Sequence, residues 1–153
     1  MSQHAALTAR FIGKSQYYTR LQRKLLALGG QEVVLMPAAY ADADLHGATL
    51  TKRLVQRGRL FVGPRDFVKM EPGACHSNAL QLYALSKGRV RFATGYALSR
   101  GGLWRQHSWG VWITTERSGC VVETTARRLK YWGVVLSATD VARVVKRAGL
   151  KPG

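Results

Sequence analysis

Acidic residues are scarce in this sequence: 8 Asp and Glu stand against 24 Lys and Arg, which gives a net charge of +16. The basic residues are spread along the whole chain and do not form one tail. Such an excess creates a long-range, salt-sensitive field that attracts polyanions. The charge alone is compatible with a polyanion partner, nucleic acid or an acidic protein, and equally with a basic surface that has no particular partner.

Cysteine is rare and long apolar runs are missing. Cys75 follows a Pro-Gly turn whereas Cys120 begins an apolar segment, so we expect two free thiols in a reducing compartment. No run approaches the ~18 apolar residues of a membrane span, and residues 1–14 lack the apolar core of a secretory signal. We therefore expect a cytoplasmic protein without a membrane span.

Motifs for metals and phosphates are also missing. Cys and His residues show no paired zinc spacing, His4 and His46 have no neighbouring ligand residues, and the glycine-containing segments do not match a phosphate-binding loop. The sequence therefore predicts neither a metal nor a cofactor.

The hydrophobic patterning predicts one domain, 1–153, of the α+β class with an antiparallel sheet. Residues 1–58 are predicted to be mainly helical, 70–136 to hold a helix and a sheet, and 137–149 to form a C-terminal helix. Helices are predicted within 5–28, 47–58, 74–88 and 137–150, and strands within 59–63, 89–99, 107–115, 120–125 and 131–137. Ser137 and Asp140 have the spacing of a capping box, and Gly101-Gly102 predicts a loose link between two strands.

Cys75 is predicted to lie in the first turn of a helix. A thiol is a good nucleophile only as a thiolate, and the unpaired N–H groups of a helix N-terminus favour an anion there. Two of those groups can also bind an oxyanion. The competing interpretation is a small buried cysteine without chemistry.

A base for this thiol is available in His107, which is predicted to begin a strand and to share one face with Trp109 and Val111. A histidine at the mouth of a strand can face a cleft, although a structural role is the alternative. His76 is the rival base, but neighbouring helix residues diverge by about 100°. His107 is therefore the better candidate.

Glu123 is the candidate for the group that orients the imidazole, because a charge within an apolar run needs a partner. If the hairpin centres on Thr115, Glu123 lies directly opposite His107, about 5 Å away at Cβ. Glu116 falls in the predicted turn and is expected in solvent. The alternative is an ion pair between Glu123 and Arg127 or Arg128.

The order of these residues resembles the transglutaminase-like and wider papain-like cysteine enzymes. The shared features are a Cys at a helix start, a Gly-Tyr strand, His-x-Trp, and an acid followed by x-Thr: Cys75, Gly95, Tyr96, His107, Trp109, Glu123 and Thr125. The resemblance covers residues 70–136 and departs from the family in having Glu where Asp or Asn is usual. It implies a fold in which the Cys-bearing helix packs on an antiparallel sheet carrying the His and the acid.

By resemblance, Cys75 is the nucleophile, His107 the general base and Glu123 the orienting acid of a hydrolase or acyltransferase. It acts on an amide or ester of a protein, a peptide or a smaller substrate through a thioester acyl-enzyme. Asn78, Trp109 and Trp104 are the candidates for substrate contact, while alternation turns Gln106 to the opposite face from His107. The alternative function is a basic protein that binds nucleic acid or an acidic partner, such as a phage or bacterial effector, on an inactive papain-like fold.

Overall fold

Four helices and seven strands make up the described parts of the chain, which in the computed structural model are residues 16–34, 48–62, 65–113 and 119–148. The helices are α1 Gln16–Leu28, α2 Ala48–Arg57, α3 Cys75–Leu85 and α4 Ala138–Ala148. The strands are β1 Glu32–Val34, β2 Arg59–Phe61, β3 Arg65–Phe67, β4 Val90–Leu98, β5 Leu103–Trp112, β6 Val121–Glu123 and β7 Lys130–Val135. The predicted α+β class is confirmed.

All seven strands belong to one sheet, in the order β2-β7-β4-β5-β6-β3, with β1 also paired to β5. The sheet is mixed and not wholly antiparallel as predicted, because β1 runs parallel to β5 and β3 parallel to β6. Both are three-residue strands, too short to show the alternation by which a strand is recognised in a sequence.

The central strands are buried on both faces. Phe92, Tyr96 and Leu98 of β4 pack into the larger core with the helices, whereas Ala93 and Ala97 face a second core around Trp109 and Tyr131. Each helix contributes an apolar stripe to the larger core: Leu21 and Leu25, Leu50 and Leu54, Ala79 and Leu80, Val141 and Val144. Burial of these side chains, about 25 cal/mol per Å² of apolar surface, holds the helices against the sheet.

Several local predictions can be compared with the structure. The capping box of α4 is confirmed, since the Asp140 N–H donates to Ser137 Oγ and the Ser137 N–H to Asp140 Oδ2. The Gly101-Gly102 link is a tight turn and not a loose one, because the Gly102 N–H donates to the Ser99 carbonyl at 3.0 Å. The early part of the predicted helix 5–28 lies outside the described residues, as do His4, His46 and Glu116.

The strand β5 has an interrupted edge. On the side away from β4, β1 pairs with residues 103–105 and β6 with residues 110–111. Within the described part of the chain, no strand pairs with residues 106–109 on that side. His107 therefore lies at a gap in the sheet, in the middle of β5 and not at the strand start predicted from the sequence. No helix among the described residues is long and apolar enough to cross a membrane.

Candidate active site

Cys75 is the first residue of α3 and is half-buried. The turn at Pro72-Gly73 leads into it, with Gly73 at a φ of 73° that favours glycine. The N-cap residue Ala74 has no side-chain cap, so the first backbone N–H groups of the helix keep their partial positive charge for an anion. The sequence therefore places the thiol where a thiolate is stabilised.

The rings of two histidines, His107 and His76, lie beside the thiol of Cys75 and interact with it. His107 is 3% exposed and is held between aromatic rings: it stacks on Trp109 with centroids 6.1 Å apart and lies 6.1 Å from the Tyr131 ring. Because its Nε2 is bonded to Glu123, the Nδ1 atom is the one left for the thiol. The structure thus brings together Cys75 and its predicted base.

Glu123 receives five hydrogen-bond donors and is 1% exposed. His107 Nε2 lies 2.8 Å from Oε1 and 2.9 Å from Oε2, and the Tyr131 hydroxyl donates to Oε2 at 3.0 Å. Thr125 donates from its hydroxyl and its N–H to Oε1, and Ala126 donates its N–H there as well. The described ion pairs include none to Arg127 or Arg128, so the carboxylate serves the histidine.

The hairpin register differs by one residue from the predicted one. Gly110 pairs with Val122 and Val111 with Val121, which centres the hairpin on residue 116 and not on Thr115. If this register is continued by one residue to the end of β6, Glu123 lies opposite Trp109 and is the diagonal neighbour of His107. Diagonal neighbours on one face are about 7 Å apart at Cα, within reach of a long side chain. The longer side chain of Glu thereby closes the contact.

His76 belongs to a second chain of hydrogen bonds. Thr94 Oγ1 donates to the carbonyl of His107 at 3.3 Å, and Ser108 Oγ donates to Thr94 Oγ1 at 2.9 Å. Since the Ser108 proton is committed to Thr94, its oxygen accepts from His76 Nδ1. His76 therefore carries a proton on Nδ1, and Nε2 is the nitrogen left for the thiol.

The two histidines reach opposite faces of one strand. Cys75 contacts His107, and the next helix residue, His76, contacts Ser108. Consecutive strand residues point to opposite faces, so the first turn of α3 straddles the open edge of β5. Cys75 and His76 point about 100° apart on α3, and this divergence lets them contact opposite faces of β5. The same divergence counts against His76 in the sequence analysis. In the sequence, the hydroxyl residue Ser108 next to His107 is the signal that could have indicated the contact with His76.

The charges of the site favour a thiolate and an imidazolium. Burial raises the pKa of the Cys75 thiol, but the hydrogen bonds from His107 and then His76 outweigh burial and lower that pKa from 9.0 to about 5. Burial lowers the pKa of His107, yet its bonds to Cys75 and Glu123 raise it above 6.5. Burial raises the pKa of Glu123, while the bond to His107 and its charge hold that pKa below 4.5. Each shift favours the charged form of its group: the thiolate, the imidazolium and the carboxylate.

A cleft of about 270 Å³ opens onto Cys75 and His107. Its walls come from four segments: the turn before α3, Ala97 of β4, residues Arg105 to His107 of β5, and the loop after β6. The loop contributes Thr125, Ala126 and Arg128. Gln106 also lines this cleft, although strand alternation turns it to the opposite face from His107. Both faces of β5 border the cleft because no described strand pairs with its edge there. The Gln106 side chain also interacts with Tyr96.

The three residues predicted to contact substrate are buried in the protein and do not line this cleft. Asn78 donates from its side chain to the Glu71 carbonyl at 2.8 Å, which fixes the turn before Cys75. Trp104 donates to the Gly29 carbonyl at 2.9 Å, and Trp109 packs beneath His107. Asn78 and Trp109 therefore support the site, whereas Trp104 belongs to the larger core. The polar residues that line the cleft include Arg105, Gln106 and Arg128, none of which is a predicted substrate contact.

Among the described residues no group of three or more His, Cys, Asp or Glu side chains is arranged to hold a metal ion. Comparisons of the chain with protein-family models, with curated proteins and with solved structures found no match.

Proposed function

We propose that this chain is a cysteine-dependent hydrolase or acyltransferase of the papain- and transglutaminase-like kind, with Cys75 as nucleophile. One observation carries the proposal: a thiol with a lowered pKa, at a helix N-terminus, bonded to an imidazole that a buried carboxylate holds. This arrangement has the nucleophile, base and orienting group of acyl transfer within hydrogen-bonding reach.

In the proposed reaction the Cys75 thiolate attacks the carbonyl carbon of an amide or ester. The C–S bond forms and the carbonyl electrons move onto oxygen, where N–H groups of the uncapped α3 N-terminus stabilise the oxyanion. His107 then protonates the leaving nitrogen or oxygen as its bond to carbon breaks. In the second half, His107 removes a proton from water or an amine, which attacks the thioester and releases Cys75.

Glu123 and Tyr131 assist without touching the substrate. The carboxylate accepts from His107 Nε2 and stabilises the imidazolium, and the Tyr131 hydroxyl anchors that carboxylate. Burial and the Glu123 charge raise the pKa of Tyr131, which keeps its proton for donation. Both are positioning residues.

A panel of electrophilic acyl probes followed by mass spectrometry tests the proposal. We expect one acyl adduct on Cys75 that decays as the thioester hydrolyses, and acylation slowed about 100-fold or more in His107→Ala. The matched control is Cys120→Ala, which removes the other thiol away from the cleft and should acylate at the wild-type rate. Equal acylation of both cysteines would contradict the proposal.

The notable charge supports a second candidate, a binding protein for nucleic acid or an acidic protein. Basic residues cluster on α2 and β2: Lys52, Arg53, Arg57 and Arg59. Of these four, only Arg53 forms an ion pair among the described residues, and its partner is Asp140. This candidate predicts salt-dependent binding to nucleic acid that Cys75→Ala leaves intact. A gel-shift series from 50 to 300 mM salt, about the range over which such contacts weaken, tests it.

A further inference from the structure

Two arginines, Arg105 and Arg128, line the cleft beside Cys75. Arg105 lies on the same face of β5 as His107, two residues away, and Arg128 lies in the loop after β6. Neither forms an ion pair with an acid in the parts of the chain that the structure describes. The cleft wall therefore carries two guanidinium groups and no carboxylate among its lining residues.

The Nε atom of Arg128 is buried and has no hydrogen-bond acceptor. A buried donor of a charged group without a partner destabilises the empty protein, and an arriving acceptor relieves that cost. Glu123 does not serve as this acceptor, since its two oxygens already take five donors. Because Arg128 lines the cleft, an acceptor bound there could supply the missing partner.

We propose that Arg105 and Arg128 form a subsite for a carboxylate of the substrate, close to the bond that Cys75 attacks. A guanidinium binds a planar carboxylate through paired N–H donors, which fixes orientation as well as affinity. The net charge of +16 adds a field that concentrates acidic substrates near the protein. This inference rests on the proposed function and narrows its substrates to acyl compounds that carry a carboxylate, such as acidic peptides.

Paired alkylation by iodoacetate and iodoacetamide tests the subsite. In both reactions the Cys75 thiolate attacks the methylene carbon, a C–S bond forms and iodide leaves, but only iodoacetate carries a carboxylate. The ratio of the two rates at Cys75 isolates recognition of that carboxylate. We expect the ratio to fall about tenfold in Arg105→Gln and in Arg128→Gln. Arg23→Gln, an exposed arginine of α1 outside the cleft wall, removes the same charge and should keep the wild-type ratio.

An unchanged ratio in both cleft variants would overturn the subsite, as would an equal fall in Arg23→Gln, which would assign the effect to net charge. If Arg128→Gln lowers the thermal midpoint, the exposed Arg105 carries the test alone. The proposed function fails by a different result, slow iodoacetamide labelling of Cys75 relative to Cys120. Fast labelling with an unchanged ratio would remove only the subsite.

Discussion

Glu123 is the residue on which the protonation of the site depends. Its carboxylate is buried, and its partner His107 is the diagonal neighbour on the adjacent strand β5. A side chain shorter by one methylene falls short of that diagonal. The diagonal register therefore requires the longer side chain of Glu, and Glu123→Asp should lose the contact.

Replacing Glu123 by Gln keeps an acceptor for the ring but removes the charge that favours the imidazolium. We expect iodoacetamide labelling of Cys75 at pH 6 to slow about twofold, since a rise of one unit in a thiol pKa of about 5 nearly halves the thiolate present at that pH. We also expect the free energy of unfolding to fall by about 3 kcal/mol, the order of magnitude for breaking a buried pair. Labelling kinetics and urea denaturation measure the two effects.

The loss of stability in Glu123→Gln should depend on pH, because both members of the Glu123–His107 pair titrate. The lowered pKa of Glu123 means that its contribution is present above pH 4.5 and is lost as pH falls through the folded-state pKa. The raised pKa of His107 means that its contribution is present below pH 6.5 and is lost as pH rises through the folded-state pKa. The difference between wild type and Glu123→Gln should therefore be largest between pH 4.5 and 6.5. A difference that grew steadily towards pH 9 would exclude this pair as its source.

The interaction of His76 with the Cys75 thiol is not predicted from the sequence. His76→Asn retains a donor near the Nδ1 position for Ser108 and removes the contact to the thiol, whereas His76→Ala removes both. If His76 stabilises the thiolate, His76→Asn should raise the pH midpoint of Cys75 labelling by about one unit. A purely structural role would leave that midpoint in place and lower only the thermal midpoint of His76→Ala.

At the scale of the elements, Gly133 of β7 keeps the histidine in place. A Cβ added there would lie 2.5 Å from Trp109 Cη2 and 2.6 Å from the Thr94 carbonyl oxygen, and Trp109 stacks on His107. Gly133→Ala should therefore lower stability by about 1–3 kcal/mol, as overpacking does, and slow the labelling of Cys75. Thermal unfolding and labelling kinetics measure both.

The control for this substitution is Gly101→Ala, whose added Cβ would meet only Ser99 Oγ at 3.9 Å. It should leave the thermal midpoint and the labelling rate close to those of the wild type. Equal effects from the two substitutions would show that β7 does not support His107 through Trp109.

The longer elements could be predicted from the sequence and the short ones could not. Helices α2 and α3 lie within their predicted ranges, because apolar periodicity and flanking glycines define a helix locally. β1 and β3 escape prediction because their place depends on pairing with β5 and β6, which are distant in sequence. β5 begins at Leu103 and not at His107, since pairing with β1 extends it.

The proposed catalytic residues of the site could be predicted from the sequence, and the cleft wall could not. Cys75, His107 and Glu123 each have a local pattern, a turn before a helix or an alternating strand, and the structure brings all three together. The cleft wall has no such pattern. Arg105 and Arg128 are two of 24 basic residues, and only the interrupted edge of β5 distinguishes them from the rest.

For the molecule as a whole, the central claim is that the fold converts one of its two cysteines into a thiolate. The helix N-terminus, two imidazoles and the buried carboxylate act on Cys75, while Cys120 lies outside the cleft wall. The positive field of the chain acts on both thiols and should therefore affect both alike. The two cysteines in one protein form an internal comparison.

The most direct measurement is the rate of iodoacetamide labelling of each cysteine between pH 4 and pH 10, followed by mass spectrometry of the native protein, with pH steps of about half a unit. Because the pKa of Cys75 is lowered to about 5, its thiolate forms as pH rises through that value. We expect a rate at Cys75 that is half-maximal near pH 5 and level through pH 7, and a midpoint displaced upward in His107→Ala. A rate at Cys75 that rises only near the ordinary thiol value of 9.0 would contradict it.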